Sequence, residues 1–382
     1  MKIGIMIRNL NEKGGINVYT RNLIENMLNI NITFQFVFIY PDPAFIGTFG
    51  NYPNVKEIAV KSFSKIIWDQ VTVPRILRRE KVNLIYNPKL SIPLFTNSKK
   101  VLMIHGAEQF AVKAAFKWYD RIYYQVAMPL YGLFADKIIT NTKMGIDDLS
   151  RYLHINKRKF DYAYEGVHKR FKILKTEETD SIKLKYDLPD KYILFVGGLT
   201  PLKNFSRLAL AFDTIADKYN YHLVVTGFKR FKFKDDIKTV EKLRNRNKIH
   251  FCGFVPDEDL PSLYNLADVF VFPSLYEGFG LPVLEAMACG CPVITSKTGC
   301  TREVTSDAAL LVNPYNPIDI AGKIESLINN KELKKDLRTK GLNRVKNFCW
   351  KKCAEETLSI FESIVTDTNV YSISILSAIF YC

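Results

Sequence analysis

The chain has 382 residues, more than one hydrophobic core usually supports, so its length predicts two domains. Hydrophobic residues make up 47% of it and charged residues 24%, and these ordinary fractions exclude a disordered or fibrous protein. The formal net charge is +15 at pH 7. Residues 1–175 hold 27 Lys and Arg against 13 Asp and Glu, which places +14 of that charge in the N-terminal half.

A strongly basic half suits nucleic acid, an anionic membrane surface or an acidic substrate. We expect no nucleic-acid partner, because no nucleic-acid-binding motif occurs and the cations are dispersed among aromatic residues. Residues 61–68 and 113–124 interleave cations with large aromatic side chains, which suits contact with anionic headgroups. The same pattern also fits half-buried helices, so an anionic membrane surface is one candidate partner of the basic N-terminal domain.

The seven cysteines form an odd set without a C-x-x-C pair, which favours free thiols in a reducing cytoplasm. Residues 2–7 resemble a short strand rather than a signal peptide. The apolar run 370–382 has 13 residues, whereas a helix needs ~20 to cross a bilayer. We therefore expect a cytoplasmic protein, with peripheral attachment to the inner face of a membrane as an alternative. A docking helix, an extra strand or an interfacial anchor all remain open for the C-terminal run.

Short apolar runs alternate with longer amphipathic stretches along the chain, which is typical of parallel strands joined by helices. The predicted strands are residues 2–7, 34–40, 55–60, 83–86, 100–105, 137–141, 160–164, 192–196, 221–226, 249–252, 269–272, 293–295 and 309–312. Polar residues between 172 and 190 break this pattern. The pattern predicts an α/β fold with two doubly wound parallel-sheet domains, residues 1–175 and 176–365, followed by an apolar tail of unassigned role, residues 366–382. Such sheets bind ligands at the carboxyl ends of their strands, so two facing domains predict a cleft between them.

The loops after the first-half strands carry a glycine pair and a histidine. Gly14 and Gly15 follow the first strand and open a helix, but they do not form the G-x-G-x-x-G pattern, which disfavours a nicotinamide site. His105 ends the predicted strand 100–105, and Gly106 follows it. Taken alone, the glycine pair is more often a turn and such a histidine more often structural.

In the second half, the loop Gly197-Gly-Leu-Thr-Pro-Leu-Lys203-Asn follows a strand and places one lysine where it could neutralise a diphosphate. As a single residue, Lys203 would more often be a solvated surface charge. The acids Asp257, Glu258 and Asp259 formally spell a D-x-D metal motif. We interpret them instead as capping and first-turn acids of a helix over residues 260–266, where the helix dipole favours negative charge.

The stretch from Pro273 to Gly290 is the part of the chain best suited to chemistry. A buried strand ends at Pro273, and a glycine-rich turn then leads into a helix predicted from about Pro282 to Cys289. The amides of Phe279, Gly280 and Leu281 at its N-terminus favour an anion such as a diphosphate. Glu277 and Glu285 flank that position. Carboxylates there are better suited to accepting hydrogen bonds from sugar and ribose hydroxyls than to binding phosphate.

The block Glu-Gly-Phe-Gly-Leu-Pro-x-x-Glu-Ala-Met-Ala-x-Gly-x-Pro-Val, from Glu277 to Val293, resembles the Glu-x7-Glu signature of retaining glycosyltransferases of family 4. The resemblance implies the GT-B fold and sugar transfer from a nucleoside-diphosphate sugar with retention, without a metal or other cofactor. It implies catalytic roles for His105, Lys203 and Glu277. It implies donor contacts at Gly14, Gly15, Gly198, Lys203, Arg207, Val255, Glu277, Gly278, Phe279, Gly280, Leu281 and Glu285.

The chain departs from the family pattern where an arginine usually helps bind the phosphates. Gly198 and Leu202 occupy those positions, so Arg207, or Lys229 and Arg230, would have to supply the second cation. Gly106 stands where many members have Asp.

The resemblance implies transfer of a hexose from GDP-mannose or a UDP-sugar to a glycan or lipid-linked acceptor, in surface polysaccharide or glycolipid synthesis. The glycine, proline, lysine and asparagine residues of the Lys203 loop resemble those common in mannosyltransferases and related enzymes, which favours a mannosyl donor. The alternatives are a catalytically silent GT-B module that binds a glycan or lipid, and a sugar-nucleotide epimerase of the same fold.

Overall fold

A computed structural model describes residues 1–8, 10–11, 14–30, 34–227 and 233–379, with the side chains of 233, 234, 236 and 366–379 excepted. The chain forms two compact units. The first consists of Met1–Ala107, Trp118–Gly166 and Trp350–Cys382, and the second of Glu108–Lys117 and Val167–Cys349.

The first unit is built on a parallel sheet of seven strands in the order β3-β2-β1-β4-β5-β6-β7. The strands are β1 (Lys2–Met6), β2 (Gln35–Tyr40), β3 (Val55–Ala59), β4 (Leu84–Asn87), β5 (Lys99–Met103), β6 (Lys137–Thr140) and β7 (Phe160–Tyr162). The helices of this unit are α1 (Gly15–Asn29), α2 (Lys65–Ile67), α3 (Val73–Glu80), α5 (Trp118–Phe134), α6 (Lys143–Leu153) and α15 (Trp350–Ile379).

The second unit is built on a parallel sheet of six strands in the order β10-β9-β8-β11-β12-β13. The strands are β8 (Tyr192–Val196), β9 (His222–Thr226), β10 (Ile249–Gly253), β11 (Val269–Phe272), β12 (Val293–Ser296) and β13 (Ala309–Val312). Its helices are α4 (Glu108–Ala111), α7 (Thr176–Lys185), α8 (Phe205–Tyr219), α9 (Phe233–Glu241), α10 (Leu260–Leu266), α11 (Leu281–Ala288), α12 (Thr301–Thr305), α13 (Pro317–Ile328) and α14 (Lys331–Val345).

Local sequence explains the central strands. Every residue of β8 and β11 is buried, and both strands consist of β-branched, aromatic and leucine side chains that pack on two faces of a covered sheet. All thirteen predicted strands are confirmed, with ends within two residues of the prediction. Two parallel-sheet α/β domains are therefore confirmed as well.

The structure differs from the predicted domain boundaries at the C-terminal helix. The predicted second domain includes residues 350–365, but α15 packs on α1 and groups with the first unit. Trp350 lies 6.0 Å from the ring of Tyr19, and Phe361 lies 5.1 Å from that of Tyr86. An amphipathic helix carries no local signal for which sheet it will cover. Residues 366–379 continue this helix, and residues 380–382 lie outside the described part of the chain.

Strand order creates one topological switch point in each sheet, between β1 and β4 and between β8 and β11. Connections leave such neighbouring strands in opposite directions, which opens a crevice at their carboxyl ends. In the second sheet, the loops beside this point carry Lys203 and Glu277.

Candidate functional site

The acidic turn of the second unit connects β11 to α11. The helix begins at Leu281, one residue before the predicted start, and ends at Ala288. Gly280 caps it with φ 99°, a left-handed conformation that favours glycine. A Cβ atom at this position would also lie 3.0 Å from Thr301 Cγ2. The predicted turn and helix are confirmed, and the first amides of α11 lie at the end of β11.

The backbone of Glu277 is fixed by the loop that follows β12. The amide of Cys300 donates to the carbonyl of Glu277 at 2.9 Å. Gly299 lies so close that a Cβ atom on it would sit 2.7 Å from the Glu277 nitrogen and 2.8 Å from its oxygen. Thr298 Oγ1 donates to the carbonyl of Leu275 at 2.9 Å, two residues before the acid. The loop after β12 therefore holds the turn in one position.

Lys203 and Glu277 meet, although they are far apart in the sequence. Lys203 Nζ lies 2.5 Å from Glu277 Oε1 and 4.9 Å from the centroid of the Phe272 ring. The two side chains are 22% and 12% exposed, so both keep some access to solvent. Asn204 ties the loops together by donating to the carbonyl of Pro273 at 2.9 Å. This unit thus presents an ammonium, a carboxylate and a helix N-terminus at one sheet edge.

Gly198 lies on the same loop as Lys203. The residue before it, Gly197, is in close backbone contact with Gly227. Gly227 has φ 144°, and a Cβ atom on it would lie 1.9 Å from the carbonyl oxygen of Gly197. Only glycine allows this contact, which brings the ends of β8 and β9 together.

Glu285 lies one turn into α11 and is half-buried. The hydroxyl of Tyr264 donates to its Oε2 at 3.0 Å. The pKa of Glu285 is raised to about 7, mainly by burial and to a smaller extent by the charge of Asp257, while the hydrogen bond from Tyr264 and the charge of Arg170 oppose the rise. The carboxyl therefore titrates near neutral pH, which its position in the sequence did not predict.

Of the candidates for a second phosphate-binding cation, the structure describes Arg207 only. Arg207 donates to Asn204 Oδ1 at 2.8 Å and lies 5.5 Å from the centroid of the Tyr315 ring. Its guanidinium is therefore already in use near the Lys203 loop. Lys229 and Arg230 lie outside the described residues.

The acids after β10 do not act as predicted. The helix over Leu260–Leu266 is confirmed, but no acid lies in its first turn and Asp259 makes no capping bond. Its carboxylate instead accepts from Lys185 Nζ at 2.7 Å and from the Tyr186 hydroxyl at 2.6 Å. Asp259 thus occupies the predicted N-cap position, but its carboxylate binds these two donors on and after α7 instead of the helix amides. Val255, one of the expected donor contacts, is buried in this segment.

His105 anchors a second polar cluster, in the first unit. It lies two residues after β5, and its Nε2 is 2.8 Å from the carbonyl oxygen of Pro88. A carbonyl only accepts, so Nε2 carries a proton. Its Nδ1 lies 3.5 Å from Glu165 Oε1, and Asn141 Nδ2 donates to the His105 carbonyl at 3.2 Å. Both ring nitrogens of His105 thus face protein groups.

Glu165 is the site residue that sequence reasoning missed. It is buried, and burial raises its pKa, while the contact with His105 opposes the rise. The signal that could have found it is topological. His105, Asn141 and Glu165 follow β5, β6 and β7, three neighbouring strands whose carboxyl ends share one sheet edge.

The glycine pair opens α1, and Tyr19 of this helix contacts the His105 cluster. Gly14 has φ 136° and precedes α1, which begins at Gly15. Tyr19 of this helix meets the His105 ring edge-on, with centroids 4.8 Å apart, and its hydroxyl lies 2.8 Å from that of Tyr86. Residues 9, 12 and 13 of the same loop lie outside the described part.

Among the described residues, no group of three or more His, Cys, Asp or Glu side chains could hold a metal ion. Metal independence remains a prediction. In the same residues, no helix has both the length and the apolar character that crossing a membrane requires.

The fold and these sheet edges define a class, the GT-B proteins. A glycosyltransferase structure from Rickettsia africae matches 95% of this chain and 98% of its own at 20% identity, with a TM-score of 0.75. Anabaena HepE, in complex with UDP and glucose, matches 95% of this chain and all of its own at 17% identity, with a TM-score of 0.77. The predicted GT-B fold is confirmed.

The second unit matches a known family. Residues 176–344 match the family Glycosyl transferases group 1. O-antigen chain mannosyltransferase B of Escherichia coli is 36% identical over 183 residues, which cover 47% of this chain. The match spans 48% of that relative, and a match to the mannosyltransferase WbdA of Escherichia coli spans 30%. An uncharacterized glycosyltransferase of Methanocaldococcus jannaschii is 27% identical over 92% of this chain and 95% of its own.

Proposed function

We propose that this protein is a retaining glycosyltransferase that moves a hexose from a nucleoside-diphosphate sugar to a hydroxyl of a glycan or lipid-linked acceptor. The meeting of Lys203 with Glu277 beside the N-terminus of α11 carries the proposal. The match of residues 176–344 to a glycosyltransferase family supports it.

The departing diphosphate is the charge that the site has to stabilise. The Lys203 ammonium and the first amides of α11 are fixed by loops and lie at one sheet edge, so they need little reorganisation when that charge develops. Phe279, Gly280 and Leu281 supply the backbone there, with Gly278 in the turn before them. Arg207 lies one helical turn beyond Lys203 and can add positive potential.

The two acids bind hydroxyl groups. Glu277, already within 2.5 Å of Lys203 Nζ, would accept hydrogen bonds from the donor sugar while the lysine turns to phosphate. Glu285 would accept from the ribose in its ionised form. With a pKa of about 7, it is only partly ionised at neutral pH.

Transfer with retention needs the new bond to form on the face that the diphosphate leaves. The bond from the anomeric carbon to the phosphate oxygen breaks, and a bond from the acceptor oxygen to that carbon forms. The acceptor proton passes to the leaving diphosphate, so no protein base takes part. A catalytic role for His105 stays a prediction, and both its ring nitrogens face protein groups of the first unit.

The donor and the product are proposed as a mannosyl donor and a surface polysaccharide or glycolipid. The similarity to an O-antigen chain mannosyltransferase supports mannose. UDP-glucose remains the second donor to test, because the structural neighbour HepE also occurs in complex with it. No cofactor is proposed beyond the donor substrate.

The test is release of free nucleoside diphosphate from GDP-mannose and UDP-glucose, with and without lipid-linked glycan acceptors, followed by NMR of the product anomer. We expect acceptor-dependent release from one donor and a product with the donor's anomeric configuration. An inverted product refutes retention. Glycan binding without turnover of any donor supports the silent module, and a change of sugar without transfer supports the epimerase.

A further inference from the structure

The helix α5 of the first unit exposes an apolar face. Trp118, Ile122, Val126, Leu130 and Leu133 are 70%, 54%, 63%, 39% and 58% exposed. Their spacing of three or four residues places them in one stripe along the helix. The opposite side of α5 is buried through Ala127, Met128 and Tyr131. The helix is therefore apolar on both sides, and only one side is covered by residues that the structure describes.

Two neighbouring segments widen this stripe. Phe95, 78% exposed, packs edge-on against Phe134 with ring centroids 6.2 Å apart. At the other end, Lys65 Nζ lies 5.5 Å from the centroid of the Tyr123 ring, which brings α2 and its exposed Ile66 alongside. We call this surface the α5 face. Scattered exposed hydrophobic residues need no explanation, but a contiguous patch of this kind marks an interaction site.

Positive charge lies next to the α5 face. Lys61 and Lys65 are exposed on the segment that carries Ile66. A cavity of about 820 Å³ shares Phe95 with the face, and Arg78, Lys81 and Lys99 are among its lining residues. Residues 1–175 carry a net charge of +14. Apolar and aromatic side chains flanked by cations match a bilayer surface with anionic headgroups better than a neutral protein surface.

We propose that the α5 face docks this protein on the surface of an anionic phospholipid bilayer. The stripe lies in the interface with its apolar side chains below the headgroups. Trp118 and Tyr123 sit at headgroup level, where amphipathic rings are favoured. Lys61, Lys65, Arg78 and Lys81 contact the lipid phosphates. The proposal stands on the surface of the first unit and does not depend on the proposed catalytic activity.

Tryptophan fluorescence of the unaltered full-length chain gives the first test. The chain has three tryptophans, of which Trp68 and Trp350 are buried and Trp118 is 70% exposed. We expect a blue shift on addition of phosphatidylcholine vesicles that contain phosphatidylglycerol, a weaker shift at high salt, and none with phosphatidylcholine alone. The variant Trp118→Phe, which keeps an aromatic ring, should still bind these vesicles but lose the shift. Absence of a shift in the unaltered chain overturns the proposal.

Vesicle co-sedimentation gives the second test. The double variant Ile122→Glu with Leu130→Glu should lose about tenfold or more in partition to the anionic vesicles, because it places charge in the apolar stripe. Leu184→Glu is the matched control, since Leu184 is 82% exposed on α7 of the second unit, and it should partition like the unaltered chain. Circular dichroism and thermal unfolding check that each variant folds.

Two outcomes of co-sedimentation overturn the proposal. Equal partition of the double variant and the control means that the α5 face does not contact lipid. A concentration-dependent dimer that the double variant abolishes, together with no vesicle binding by the unaltered chain, assigns the face to a second copy of the chain instead.

Discussion

Each unit contains a basic side chain next to a carboxyl group, and the two pairs differ in their surroundings. Lys203 and Glu277 are partly exposed and lie beside a helix N-terminus. His105 and Glu165 are 18% and 5% exposed, and Pro88, Asn141 and Tyr19 enclose the histidine. The partly exposed pair can exchange its mutual contact for contacts with a ligand at little cost. The enclosed pair cannot, because a buried group that loses its partner is destabilising.

The largest expected effect is a loss of activity without a loss of stability when Lys203 of the partly exposed pair is replaced. Lys203→Ala should lower kcat/KM for the donor about a hundredfold, because the proposed charged hydrogen bond to the leaving diphosphate is lost. Stability should change by no more than about 1 kcal/mol, since the pair is partly solvated. Nucleoside diphosphate release and thermal unfolding measure the two effects.

Lys218→Ala provides the control for this prediction. Lys218 lies 3.0 Å from Glu325 on the surface of the same unit, and its loss should leave kcat/KM unchanged. A loss of activity in both variants, or in neither, would contradict the special role of Lys203.

Replacing Gly299 tests the Glu277 turn without changing a charged side chain. Gly299→Ala places a Cβ atom 2.7 Å from the Glu277 nitrogen at φ 69°. We expect a loss of about 1–3 kcal/mol in the free energy of unfolding and an activity loss of roughly tenfold, because the Glu277 turn must shift. Gly322→Ala in α13 meets nothing within 4 Å and should stabilise the fold by about 0.5–1 kcal/mol. Equal effects of the two substitutions would show that the turn is not held by this contact.

The enclosed pair predicts a different pattern. Glu165→Ala should destabilise the first unit and lower activity about tenfold, because His105 Nδ1 loses its buried partner. Glu165→Gln should retain activity within about threefold. Burial favours the neutral form of Glu165, and the glutamine amide can still donate to Nδ1. Thermal unfolding and donor kinetics of the two variants test this. A glutamine variant as impaired as the alanine variant would mean that the ionised pair is required.

The smallest expected effect is a pH dependence of donor binding through Glu285. Its pKa is raised from 4.5 to about 7, so the carboxylate proposed to accept ribose hydroxyls is lost as pH falls below that value. The donor KM should therefore rise severalfold on acidification. Tyr264→Phe removes a hydrogen bond that lowers this pKa and should move the midpoint to higher pH.

The same group affects folding with the opposite sign. Because its folded-state pKa is raised, its contribution to stability is present below pH 4.5 and is lost as pH rises through about 7. Thermal unfolding across this range measures it, with Glu285→Gln as the reference without a titrating carboxyl. A donor KM independent of pH in the unaltered protein would remove Glu285 from the ribose site.

Sequence predicted the local elements of this protein and the part of its site that is contiguous. The runs of β8 and β11 are recognisable as strands in the sequence, because β-branched and aromatic residues fill both faces of a covered strand. The turn from Glu277 to Glu285 was found because its glycines, its proline and its acids are neighbours in the chain.

Only the tertiary structure determined the long-range contacts, the burial and the exposed surfaces of this protein. In the structure His105 contacts Glu165, and α15 packs on α1. The carboxylate of Asp259 accepts hydrogen bonds from Lys185 and Tyr186 instead of from the amides of its helix. The tertiary structure also set the pKa of Glu285 through burial and left one side of α5 exposed. A residue pattern records the propensity of a segment, whereas burial, electrostatic environment and long-range partners arise only when distant segments are brought together.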